Sequence, residues 1–154
     1  MAEDFKVVAT NRKAYHDYKV EEAHEAGVVL TGSEIKSVRA GSVNLRDSYA
    51  IIRAGEMWLF NVHIAPYEPA SRQNADPYRS RKLLMHRGEI MRLMGRAQEK
   101  GLTLIPLRMY LKKNRAKVEI ALVRGKRQYD KRQTIANREA AREIDREFKE
   151  RFKR

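Results

Sequence analysis

The chain has 154 residues, 42% of them hydrophobic, with 8 Gly and 4 Pro, the usage of one globular domain rather than of a disordered segment. Its 33 Lys/Arg against 20 Asp/Glu give a formal charge of +13, a field that repels itself unless phosphates or anionic lipids neutralise it. With no cysteine, the sequence excludes a disulfide scaffold, a thiolate-ligated zinc site and a cysteine nucleophile.

The amino end, "MAEDFKVVATNRK", has no apolar run of signal-peptide length, and nowhere do about 20 apolar residues occur together as a spanning helix needs. A cytoplasmic protein is the simplest reading. In "HDYKVEEAHEAGVVL" polar and apolar residues interleave, with Tyr18, Val20, Val28 and Leu30 suited to strand faces and Ala26-Gly27 to a bend or bulge, so one bent strand is expected. "TGSEIKSVRAG" then offers Ser33 as an N-cap, Ile35 and Val38 at helical spacing and Gly41 past the end, a helix of about two turns.

"SYAIIRAGEMWLFNVHIA" reads as a hairpin turning at Ala54-Gly55, with Tyr49, Ile51, Trp58, Phe60, Val62 and Ile64 as its β-branched and aromatic bulk. "PYEPASRQNADPYRSR" has three prolines and no periodicity, which marks a long basic loop. "RKLLMH" is a short strand candidate. "RGEIMRLMGRAQEKG" is the clearest helix, placing Ile90, Met91, Leu93, Met94 and Ala97 on one core-facing side and closing at Gly101. "LTLIPLRMYL" and "AKVEIALV" flank "KKNR" as a second hairpin. Ile105, Leu107, Met109 and Leu111 alternate on its first strand and Val118, Ile120 and Leu122 on its second, and Pro106 is restricted to an edge or bulge.

The order β-α-β-β-loop-β-α-β-β, with short turns and no internal repeat, predicts a mainly β protein with helices. The strands would form an antiparallel sheet curled into a small closed or partly open barrel, with helices at its ends. Three zones follow: an N-terminal arm over 1–12, the barrel over 13–124 and a basic C-terminal tail over 125–154. Charge is uneven along the chain: residues 1–30 hold four Lys/Arg against six Asp/Glu, 31–123 seventeen against eight and 124–154 twelve against six, so the core and its extension are both basic.

The tail opens with "RGKRQYDKRQ", where Lys126, Arg127, Lys131 and Arg132 bracket Tyr129, so that cations pair with phosphate while the phenol stacks on a base. Asp130 is either a local partner for Lys126 or Arg127 or an acceptor for an RNA group. Beyond it Ala136, Ala140, Ile144, Phe148 and Phe152 recur every four residues, a thin apolar stripe expected to be disordered when free and helical when bound. A membrane surface suits it poorly, because acids interleave with the bases and no Trp or Leu-rich face is present.

Catalytic readings are weak. His16 and His24, placed on one strand, would lie about 26 Å apart, and no helix carries two histidines at i,i+4. His24-Glu25 as an acid/base pair would have its members on opposite strand faces. A metal-dependent nuclease using His24 or His86 therefore stands last, behind a general single-strand-binding barrel.

"NRKAYHDY", "EAGVVLTGSEIKSVRAGSVNLRDSY", "DPYRSRKLLMHRGEI" and "RGKRQYDKRQ", in that order across residues 11–133, resemble the small protein B family, the tmRNA-binding (SsrA-binding) factors of trans-translation. The resemblance implies an OB-like barrel with appended helices, neither enzyme nor cofactor-dependent. Such a protein binds the tRNA-like domain of tmRNA and delivers it to the A site of a stalled bacterial ribosome, while its tail senses the empty mRNA channel. It implies tmRNA contacts at Glu25, Leu84 and His86, where some relatives have asparagine in place of the histidine. It implies ribosomal RNA and decoding-centre contacts at Asn11, Arg12, Gly125, Asp130, Lys131 and Arg132, with Lys126, Arg127 and Tyr129 beside them; many relatives have histidine where Tyr129 stands. Elongation factor Tu is a further expected partner, and a monomer the expected state. From the residues alone Leu84 is equally a core leucine, Glu25 the partner of a nearby cation, and Gly125 a strand end.

Overall fold

The computed structural model describes residues 5–67, 76–99 and 101–125. Strands β8 (Leu102–Lys112) and β9 (Arg115–Gly125) form a long hairpin whose two turn residues, Lys113 and Asn114, both have positive φ (50° and 63°). That turn matches the right-handed twist of the strands it joins. Strand β2 (Tyr18–Val28) pairs antiparallel with β9 along most of its length. From β2 the pairing passes through β7 (Arg81–Leu84), β5 (Glu56–Phe60) and β4 (Tyr49–Arg53), and it returns to β8 where Ala50 faces Leu104. Because β8 also pairs with β9, six strands close into a ring. The antiparallel barrel expected from the strand pattern, OB-like by the family resemblance, is the architecture observed.

Period-two alternation fills the barrel. Ala50, Met57, Leu59, Leu83, Leu104, Val118, Ile120 and Leu122 are buried in one cluster, which also receives Val38 from helix α2 (Gly32–Arg39) and Leu93 from helix α3 (Arg87–Ala97). The bulky residues of the first hairpin, Tyr49, Ile51, Trp58 and Phe60, alternate with these and point outward. The hairpin turns where expected, with Ala54 and Gly55 at φ 54° and 77°.

Several expectations change. Helix α2 is capped by Thr31 rather than Ser33: the Thr31 side chain accepts from the Glu34 N–H while the Glu34 carboxylate accepts from the Thr31 N–H, a reciprocal capping box. In α3, Ile90 and Leu93 face inward, but Met91, one residue and about 100° round from Ile90, is 48% exposed and is not core. The irregularity in β2 falls between Val20 and Glu22, not at Ala26-Gly27.

In β8 the register shifts between Pro106 and Arg108, so Pro106 does sit at a bulge. The extra residue flips the strand. Leu102, Leu104, Met109 and Leu111 face the barrel, whereas Ile105 and Leu107 turn outward to pack with Ala121, Val123 and Ala14. Ala14 belongs to α1 (Arg12–Asp17), a short helix that the apolar pattern did not indicate and that carries His16, which is therefore not on the strand with His24. Residues of the expected N-terminal arm form β1 (Phe5–Thr10), added to β8 from Phe5↔Lys112 to Thr10↔Arg108. β3 (Val43–Asn44) and β6 (His63–Ile64) make a separate two-stranded pairing.

Candidate nucleic-acid interface

Gly27 of β2 lies opposite Leu84, the last residue of β7. Leu84 alternates with the buried Leu83 and is 55% exposed, which removes the core reading. A side chain at Gly27 would bring its Cβ to 3.4 Å from the Leu84 Cβ, so glycine there leaves room for the leucine to lie across β2. Glu25, two residues back on the same face of β2, accepts a hydrogen bond from the Tyr110 hydroxyl and pairs with Lys112 at 3.5 Å. The Tyr110 hydrogen bond, with Lys112 and Lys117 adding to it, outweighs burial and holds the Glu25 carboxyl below the usual carboxylate range. Burial and the same carboxylate push the Tyr110 phenol up.

Glu25 is thus a positioned anion that still exposes part of its carboxylate. His86 occupies the N-cap position of α3 and makes no capping hydrogen bond. Register and chain direction gather Glu25, Leu84 and His86 into one neighbourhood of the surface.

The other end of β2 differs. Tyr18 pairs with Gly125, about 30 Å along the strand from Gly27 at ordinary strand rise. Arg12 is exposed on α1 near this end. Asn11 is not available: it is 4% exposed, its Oδ1 accepts from the Ala14 N–H, and its Nδ2 donates to the Pro106 and Leu45 carbonyls at 2.9 and 3.3 Å. Both polar atoms of that amide are used inside the protein, so Asn11 positions Arg12 and β8 instead of presenting a surface. Lys126, Arg127, Tyr129, Asp130, Lys131 and Arg132 lie outside the described residues.

Two ion clusters were missed from sequence. Arg81, where the loop stretch and the strand candidate "RKLLMH" overlap, is fully buried and donates to Glu34 at 2.7 Å, to the Val62 carbonyl at 2.6 Å and to the Pro77 carbonyl at 3.1 Å; Arg79 meets the other Glu34 oxygen at 2.6 Å. Burial opposes ionisation of Glu34, but Arg79, the Thr31 N–H and Arg81 together hold its pKa below the ordinary value. The signal available was the Thr31-x-x-Glu34 capping pattern, which fixes where that carboxylate points.

The second cluster holds His24 between Glu22 and Glu89, each at 3.0 Å, with Arg92 and Arg96 on Glu22. His24 meets α3 while Glu25 meets Tyr110 of β8, so the two adjacent side chains serve opposite faces and form no acid/base pair. Burial lowers the imidazole pKa, yet the two carboxylates outweigh it and raise it above 6.5. Among the described residues no group of three or more His, Asp and Glu is placed to hold a metal ion, and no helix is long and apolar enough to cross a membrane.

A family model described as SmpB protein matches residues 8–150. An SsrA-binding protein of Desulfitobacterium hafniense is 59% identical over 152 residues, covering 99% of this chain and 97% of its own. One of Roseiflexus castenholzii is 63% identical, covering 95% of this chain and 93% of its own. A solved chain described as tmRNA-SmpB at the center of the bacterial ribosome superposes with a TM-score of 0.67 at 47% identity, over 82% of this chain and 92% of that one. Set beside the ring of strands and the Glu25–Leu84–His86 group, these matches carry one conclusion: the chain belongs to the SmpB (SsrA-binding) protein family.

Proposed function

We propose that the protein is a tmRNA-binding adaptor of trans-translation, an RNA-binding factor rather than an enzyme, which brings the tRNA-like domain of tmRNA to the A site of a stalled bacterial ribosome. The observation that carries this reading is the separation of two surfaces along β2 in a chain of this family. Glu25, Leu84 and His86 lie near one end, and Arg12 and Gly125 near the other.

The first surface offers a fixed carboxylate for RNA hydroxyls or amino groups, an exposed leucine for a base or ribose face, and an imidazole. The second offers cations to ribosomal RNA and starts the basic tail. Residues 125–154 form, in this reading, a separate zone that senses the empty mRNA channel, with Lys126, Arg127, Tyr129, Asp130, Lys131 and Arg132 at the decoding centre. The protein acts as a cytoplasmic monomer, meets elongation factor Tu on the aminoacylated RNA, and needs no cofactor.

The test separates the surfaces. Gel-shift titration with the tRNA-like domain is expected to show tight binding whose log K falls linearly with log salt. A chain ended after Gly125, which keeps the Tyr18↔Gly125 pairing, is expected to bind that RNA as the full chain does while failing to support peptide tagging on stalled ribosomes. Equal affinity for any duplex RNA, or loss of RNA binding on truncation, would refute this division.

A further inference from the structure

We propose that the outer face of β4, β5 and β7, centred on Trp58, is a stacking surface for unpaired RNA bases, continuous with Leu84. The inference builds on the reading of Leu84 as an RNA contact. Ile51 lies opposite Trp58, Trp58 opposite Lys82, and the Val29 N–H donates to the Lys82 carbonyl, so one row crosses four chain segments. Tyr49 and Phe60 form the next row, their rings stacked at 5.5 Å and 14°. Leu84 follows Lys82 by two residues and therefore shares this face.

Tyr49, Ile51, Val29 and Leu84 are 41%, 38%, 42% and 55% exposed, and Trp58 is half-buried. So much apolar and aromatic surface on a sheet face calls for a partner.

Charge decides which partner. Arg53 lies over the Phe60 ring at 5.6 Å, Lys82 rises within the strip, and Lys117 borders Gly27. Of the carboxylates beside them, Glu56 is paired with Lys82 at 2.8 Å and Glu25 with Lys112 at 3.5 Å. Flat rings rimmed by cations, in a chain of charge +13, complement bases on a polyanionic strand, for which stacking is sequence-tolerant. The closed barrel supplies the rigidity, because Ala50, Met57, Leu59 and Leu83 are locked in the core behind these side chains.

Trp58 is the chain's single tryptophan, so its fluorescence reports this face alone. Full-length protein is titrated with a short oligoadenylate and, separately, with the tRNA-like domain of tmRNA. Trp58 emission is expected to be quenched by both. Ile51→Glu and Tyr49→Ala, whose thermal melts are expected to match the parent's, should each weaken oligoadenylate binding by about 5- to 100-fold. Unchanged emission with oligoadenylate, or parental affinity in both variants, overturns the proposal. A Trp58 response to elongation factor Tu when neither RNA gives one would assign the face to a protein and also overturn it. Gel shifts of the parent protein with the tRNA-like domain score the functional reading separately: quenching by oligoadenylate without any binding of that domain by the parent removes the adaptor reading and keeps the stacking surface.

Discussion

The four residues of β7 begin with a buried arginine and end with an exposed leucine. Arg81 is 0% exposed and Leu84 is 55% exposed, the reverse of what either side chain prefers. Strand parity sets the direction, since Arg81 and Leu83 point inward while Lys82 and Leu84 point outward, but each inversion persists for its own reason. Arg81 is kept inside by an internal carboxylate and two carbonyls, and Leu84 is kept outside by a glycine that gives it a bed. Inverted polarity that is satisfied within the chain serves folding. Where nothing in the chain satisfies it, as at Leu84, the proposed function assigns it to binding.

The buried end is the place to break the fold. Arg81→Ala removes the fully buried partner of Glu34, leaves that carboxylate to Arg79 and the Thr31 N–H, and takes the Arg81 donor from the Val62 and Pro77 carbonyls; it is expected to cost about 3–5 kcal/mol, measured by urea unfolding, whereas Arg79→Ala, removing the outer and partly exposed partner, should cost less. Asn11→Ala comes next. It deprives the Pro106 carbonyl and the Ala14 N–H of their partner and is expected to cost about 1–3 kcal/mol, with ribosome binding weakened only in step with the unfolded fraction. Equal stability of Asn11→Ala and parent, with ribosome binding impaired, would return Asn11 to the surface.

These two residues also mark what the sequence made legible. Hairpins whose turns require positive φ, such as Ala54-Gly55, and strands that bury one face announce themselves through local chemistry. Edge strand β1 does not, because Phe5 and Val7 remain exposed and no alternation distinguishes it from a tail. Pro106 announces a bulge or an edge, but an unbroken apolar run hides which residues that bulge sends to the barrel and which it sends to α1. The family motifs implied tmRNA contacts at Glu25, Leu84 and His86, which the β2–β7 register brings near one another, but motif positions carry no burial, so Asn11 read as a surface residue and nothing marked Arg81 as buried. Burial of a charge depends on a partner 47 residues away, which no local pattern encodes.

A smaller effect tests the half-buried cluster that joins β2 to α3. His24 titrates above its ordinary 6.5, so the stabilisation from its protonated ring is complete below that pH and disappears as the pH climbs through the raised value. Glu22, held down chiefly by His24 and also by Arg92, contributes fully above its ordinary 4.5 and loses its share as the pH falls through the lowered value. The melting temperature is expected to plateau between these limits and to decline above pH 6.5. His24→Gln should flatten that upper decline and, because His24 is the chief group holding Glu22 down, shrink the acid-side decline to the part that Arg92 sustains. A decline equally steep in His24→Gln would move the effect to another group.

The least effect on stability is expected at the exposed end of β7, and it is the most telling. Leu84 rests on Gly27 and the solvent, so Leu84→Ala removes packing that water already shares and should shift unfolding by no more than about 0.5 kcal/mol. If the same methyl groups are buried when the tRNA-like domain binds, the affinity falls by about tenfold, since ~1.4 kcal/mol corresponds to that factor. The ratio of the two effects distinguishes a binding residue from a structural one. A leucine that merely plugged the β2–β7 seam would lose stability and affinity together, in proportion to the unfolded fraction. One that meets RNA loses affinity alone.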